Sequence, residues 1–158
     1  MTSNHVSIDT LPAEEAANWL QSHLTTWTAY ACALAQQGKL SPEDAARLFM
    51  QPVSLTAGEQ ADAQVLERQA RQSATVMVLM HGASNVSLER EDDSWLLKAA
   101  LGVLRDHLDS WHVELAFFAH WLNEQARLVG LAKGIDYTTW LEGDVLHMRL
   151  SLLEAGQV

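Results

Sequence analysis

Two segments of this chain share one short pattern, Asp109-Ser-Trp-His112 and Asp144-Val-Leu-His147. On a helix, residues three apart are neighbours, so each segment would set a carboxylate beside an imidazole. Helical bundles build divalent-metal sites from acid and histidine at this spacing on facing helices. With seven histidines in 158 residues, Asp109, His112, Asp144 and His147 are the candidate metal ligands. The plainer reading is an Asp that pairs with a His one turn later on a half-exposed flank, with no cofactor at all. A divalent metal is therefore the alternative expectation. His120 and Glu124, four apart, form a weaker pair. Neither His-Glu-x-x-His nor the paired Glu-x-x-His motifs of di-iron bundles occur.

Nucleophilic and phosphate chemistry find less support. Cys32 is the one cysteine, and its flanks, Ala-Tyr-Ala-Cys-Ala-Leu-Ala, are apolar. Reactive thiols need a polar or cationic neighbour, so Cys32 reads as a buried structural thiol. There is no Gly-x-Ser-x-Gly elbow. Gly130-Leu-Ala-Lys-Gly134 has the glycines and lysine of a phosphate loop, but it follows a helical pattern rather than a strand. His81, beside Gly82, reads as a complement to the negative end of a helix dipole. Six tryptophans and five methionines could line an apolar pocket, although most fall at core spacings. These readings favour a protein that is not an enzyme.

The elements that would position these residues read as helices. Leu97, Leu101, Leu104, Leu108, Trp111, Leu115, Phe118 and Leu122 alternate steps of four and three, the rhythm of an amphipathic helix. No proline interrupts it before Gly130, so the spacing predicts one central helix over about 94–129. Gly102 and Asp109-Ser110 are the places where it would break instead. A first helix runs from Pro12 to Gly38, with Ala17, Leu20, Leu24, Trp27, Ala31 and Leu34 as its core stripe. Ser41-Pro42-Glu43-Asp44 opens a short second helix that ends before Pro52. Thr56-Ala-Gly-Glu59 reads as a capping box for a third, whose stripe is Leu66, Ala70, Ser73, Met77 and Met80. A last helix follows Asp136, with Leu141, Val145, Met148 and Leu152 on one side and Leu146, Leu150 and Leu153 on another. The expected fold is all-α: a four-helix-bundle-like domain with one short extra helix. It takes in residues 1–158 as a single domain, with 1–10 as a flexible lead and no internal repeat.

The predicted central helix has a second apolar row, Val113, Phe117 and Trp121, opposite its core stripe. A surface helix should be polar there, so the row is the candidate interface. The formal charge of −10, from 20 acidic and 10 basic residues, disfavours nucleic acid on an exposed face and permits a basic protein partner. The first function expected is thus association without catalysis: a homodimer, or an inhibitor, immunity or regulatory module docked on a protein. The second is a small-molecule- or metal-binding bundle, hydrolytic in one form, that uses the two Asp/His pairs. No apolar run approaches the ~20 residues of a membrane span, and the start lacks a signal-peptide pattern, so the cytoplasm is the expected location.

Overall fold

The computed structural model describes residues 12–41, 44, 61–79 and 81–153. The described elements are α1 (Ala13–Gln36), α2 (Ala63–Leu79), β1 (Ser84–Glu91), β2 (Ser94–Ala100), α3 (Val103–Ser110), α4 (Leu115–Leu131), β3 (Ile135–Glu142) and β4 (Val145–Leu152). The strands form one antiparallel sheet in the order β1-β2-β4-β3. This corrects the expected all-α, helical-bundle fold: the protein is mixed α and β, with four helices among the described residues.

The long helix over 94–129 is corrected with it. Its first part is β2, and its remainder is split into α3 and α4 by the turn at 111–114. Gly102, with φ +53°, sits at the junction of strand and helix in a backbone region that side chains disfavour. The predicted last helix is replaced by the β3–β4 hairpin, whose two-residue turn is Gly143-Asp144. The short helix expected after Ser41 and the box at Thr56–Glu59 lie outside the described residues, as do residues 1–10. At its edge, Asp44 N donates to Ser41 Oγ at 3.1 Å.

The chain contains a structural repeat that its residues do not advertise. Adding 51 to each residue number carries β1 and β2 onto β3 and β4: Ser84 becomes Ile135, and Ser94 becomes Val145. A shift of 52 carries α2 onto α4, each of 17 residues. Two αββ units therefore meet edge to edge through β2 and β4. Their register obeys the same relation, since Ser94 pairs with Ser151 while Ala100 pairs with Val145. The pair Leu97–Met148 maps onto itself and marks a pseudo-two-fold axis. The repeat is imperfect: the helix and strand shifts differ by one residue, and at the outer edge the β1–β2 register slips between Ser84 and Ser87.

Directly opposed residues of paired strands share one face. Leu88, Leu97 and Met148 make one such row, and Trp95, Leu150 and Tyr137 the next. This face packs under α2 and α4 and, with Ala99, Ile135 and Leu146, forms the core. The opposite face carries Glu89, Lys98, Trp140, His147 and Arg149. There Lys98 pairs with Glu89 at 3.0 Å, Arg149 pairs with Glu91 at 3.1 Å, and the Arg149 guanidinium lies 5.5 Å from the Trp140 ring centre. Exposed pairs of this kind are worth no more than about 1 kcal/mol each. Their main effect is to keep that face wet.

Asp62 caps α2, its Oδ1 accepting the backbone N–H groups of Gln64 and Val65, both at 2.8 Å. Leu66, Ala70 and Met77 are buried, as the sequence stripe requires. The start of α4 is held from a distance. Gln36, at the end of α1, accepts the Glu114 N–H at 2.9 Å and donates to the His112 carbonyl at 3.0 Å. One amide thus ties α1 to the turn before α4.

The tightest glycine contact among the described residues lies where α4 meets β3. A Cβ at Gly130 would strike the Ile135 carbonyl oxygen and would stand 2.5 Å from the Tyr137 ring. Backbone and a buried ring cannot yield as a flexible side chain can. Gly130→Ala is expected to lower stability by ~2–3 kcal/mol, in the range of overpacked cores. A urea unfolding curve that does not move would mean that α4 stands off the sheet.

Candidate functional site

The structure separates the four predicted metal ligands. Asp109 and Asp144 do converge, but on a guanidinium: Arg105 Nε lies 3.0 Å from Asp109, and Arg105 Nη1 lies 2.6 Å from Asp144. His112 falls in the turn after α3, with φ +55° and its side chain exposed. His147 stacks on Trp140 on the wet face of the sheet, with ring centres 5.1 Å apart, and its Nε2 is 3.5 Å from Glu142. The cause is that an element boundary falls inside each pair: α3 ends between Asp109 and His112, and Asp144 lies in the hairpin turn while His147 lies in β4, so the three-residue spacing is not one turn of a helix in either. Among the described residues no three His, Cys, Asp or Glu side chains gather in a group that could hold a metal ion.

The predicted interface row is distributed differently as well. Val113 and Trp121 are buried, and Phe117 is half-buried against the same core. Val113 belongs to the turn before α4, so the three do not form a row on one helix. Within a single chain their apolar surface is already largely covered. Cys32 sits in the core of α1, where burial pushes its thiol up to about 12, in keeping with a structural role.

Three of the most exposed large apolar side chains lie on one element, α1. This helix buries its small residues, Thr25, Thr28, Ala29 and Cys32, against α2, α3 and α4. The buried threonines turn their hydroxyls back onto the helix, Thr25 Oγ1 to the Gln21 carbonyl at 2.8 Å and Thr28 Oγ1 to the Leu24 carbonyl at 2.9 Å. At 100° per residue the opposite side is the stripe Trp19, Leu20, His23, Trp27 and Tyr30. Trp19 is 57 % exposed, Leu20 52 % and Trp27 59 %. Leu20 and Trp27 were expected in the core, so the helix turns outward part of the face that the sequence reading turned inward.

The stripe is organised by its own ring contacts. Trp19 lies on His23 with ring centres 3.9 Å apart, and Tyr30 meets Trp27 edge-on at 5.9 Å. Trp111, just past α3 and 42 % exposed, reaches Tyr30 at 5.0 Å and extends the patch. Between them lies a shallow depression lined by His23, Thr26, Trp27, Tyr30 and Trp111. From Ala16 to Gly38 there is no Asp, Glu, Lys or Arg, in a chain whose net charge is −10. Among the described residues, this exposed, aromatic and uncharged surface has the character of a protein contact. The sequence held one signal for it, the run of 23 uncharged residues.

Comparison with known proteins returns no match to a family model, a curated protein or a solved structure.

A second feature lies inside. A half-open cavity of about 120 Å³, with the exposed Gln72 at its edge, separates α2 from α4 above the sheet, and Trp121 is part of its wall. Its lining follows the repeat: Gln69 corresponds to Trp121, Ser73 to Gln125 and Met77 to Val129, all six in the wall. Met148, from the pair on the pseudo-axis, also faces it. One side is settled chemically. Lys133 donates to Gln69 at 2.7 Å, and burial pushes the Tyr137 pKa up, against the smaller opposing effect of Ser73 and Gln69 near its hydroxyl.

His81 also faces this cavity, 6 % exposed, and burial pushes its pKa from 6.5 to about 4. It is therefore neutral at physiological pH and brings no charge to the end of α2, unlike the helix-end role read from the sequence. A group buried in its neutral form costs stability once the unfolded chain can bind a proton that the folded one refuses. Stability should thus fall as pH drops from about 6.5 to about 4, by at most ~1.4 kcal/mol per pH unit. The carboxylates contribute to both proteins when the native chain is compared with His81→Leu, so the difference between the two curves isolates the imidazole. A flat difference across that window would show that His81 titrates as a solvated histidine.

Proposed function

We propose that this protein acts through association, and that the partner seated on the α1 stripe is a second copy of the same chain. The supporting observation is the combination on one helix side of Trp19, Leu20 and Trp27, all more than half exposed, with no formal charge from Ala16 to Gly38. Two chains of charge −10 repel wherever their acidic surfaces meet. An uncharged apolar face is where that repulsion is least. A basic partner, by contrast, would be drawn to the acidic residues and would leave the stripe uncovered.

The stripe also suits self-pairing in shape and size. A helix of 24 residues is ~36 Å long and can lie against its own copy across a two-fold axis, each Trp27 near the axis and each Trp19 toward the partner's far end. Aromatic side chains of this size bury ~150–250 Å² apiece when fully covered. Trp19 and Trp27 keep a little over half of that area exposed, and with Leu20, Tyr30 and Trp111 the patch supplies a large part of the ~800 Å² per partner of a standard interface. We place this association in the cytoplasm, where the lone thiol of Cys32 would stay reduced; fractionation of the host cell tests the placement.

Trp19→Glu combined with Trp27→Glu puts like charges into the contact. The native chain is expected to sediment at twice the monomer mass at ~10 μM, and the double variant as a monomer with unchanged circular dichroism. A native chain that sediments as a monomer at that concentration, or a double variant that still dimerises, refutes the proposal.

A further inference from the structure

The cavity between the two repeat units has features that packing does not explain. Gln125, 7 % exposed, has no hydrogen-bond partner for its Nε2, and His81 has none for its Nδ1; both side chains line the cavity. A buried polar atom without a partner costs ~1–3 kcal/mol, which favours anything that brings one. Gln125 belongs to α4 and His81 follows the end of α2, so each repeat unit contributes one such atom.

We infer that this cavity is a binding site for a small, neutral, apolar molecule bearing one hydroxyl, of the size of a single aromatic ring. Three observations set the class. The lining contains no Asp, Glu, Lys or Arg, and a charged ligand would have no counter-ion there. Met77, Leu122, Val129 and Met148 make the wall apolar, and at about 120 Å³ the space is a little smaller than an engineered cavity of ~150 Å³ that accepts benzene. The polar need is short-range and two-sided. A hydroxyl both accepts and donates, so it serves the Gln125 amide whichever way that amide is turned, and an imidazole in either tautomer. His81 is neutral there, as such a ligand requires.

The site is distinct from the α1 stripe, which lies on the opposite side of that helix from Thr28, so its test does not depend on the oligomeric state. The probe is phenol, with toluene as its counterpart lacking the hydroxyl, titrated into the full chain while the Met77 and Met148 methyl resonances are followed. Phenol is expected to move both resonances saturably, with half-saturation at about 1 mM or below. Toluene should bind about five- to tenfold more weakly, as one modest hydrogen bond implies. Ala126→Phe, which fills the space from the cavity wall, should abolish both titrations. Gln125→Leu should erase the preference for phenol while toluene still binds, and it covers the case in which the filled variant does not fold. No saturable shift of the two methyls, a shift that persists in Ala126→Phe, or equal binding of phenol and toluene to the native chain overturns the inference.

Discussion

The pairing of β2 with β4 is the constraint on which the rest of the molecule depends. A two-stranded hairpin is marginal in water on its own, and neither αββ unit contains more than one. Joined along the ladder from Ser94–Ser151 to Ala100–Val145, the two hairpins become a four-stranded sheet whose apolar face can be covered. The ladder also fixes where the helices go. Because α2 and α4 pack over their own hairpins, the pairing sets the distance between them, and that distance is the cavity. Ligand site and fold are thus two results of one seam.

The third layer follows from the second. α1 covers helices rather than a sheet, and it contacts them through Thr25, Thr28, Ala29 and Cys32. Small side chains bring its axis close and use little of its apolar content. Trp19, Leu20 and Trp27 are left over on the far side, where no other described element covers them. A layer that packs with its smallest residues must show its largest to solvent or to another chain. Both candidate sites of this protein arise in that way, as volume that the three layers do not absorb.

The sequence was legible where local chemistry and tertiary packing agree. The reach of α1 from Pro12 to Gly38 and the stripe Leu66, Ala70, Met77 were readable from spacing and end signals. The strands were not, because the four-three rhythm from Leu97 to Leu122 survives a change of element. Leu97 in β2, Leu101 in the junction, and Leu104 and Leu108 in α3 all point into one core, so their spacing records a shared destination rather than a shared helix. The competing signal was present in the last segment. Leu146, Met148, Leu150 and Leu152 alternate strictly, and Gly143-Asp144 before them is a hairpin turn after the strand formers Tyr137-Thr-Thr-Trp. Of the metal quartet, expected together, only Asp109 and Asp144 come close, and Arg105 occupies their meeting point. The cavity was out of reach, since it depends on which helices lie side by side across the pseudo-axis.

The short turns within the two hairpins contrast with the long stretch of chain between β2 and β4. Each hairpin closes through a two-residue turn, and such closures take microseconds. Pairing β2 with β4 instead brings together residues about fifty positions apart, including the whole of α3 and α4 between them. Contacts of that separation dominate the contact order and so the folding time. The halves can therefore assemble early while their union comes last. The final event in folding is then also the one that closes the cavity, so the site exists only in chains that have finished.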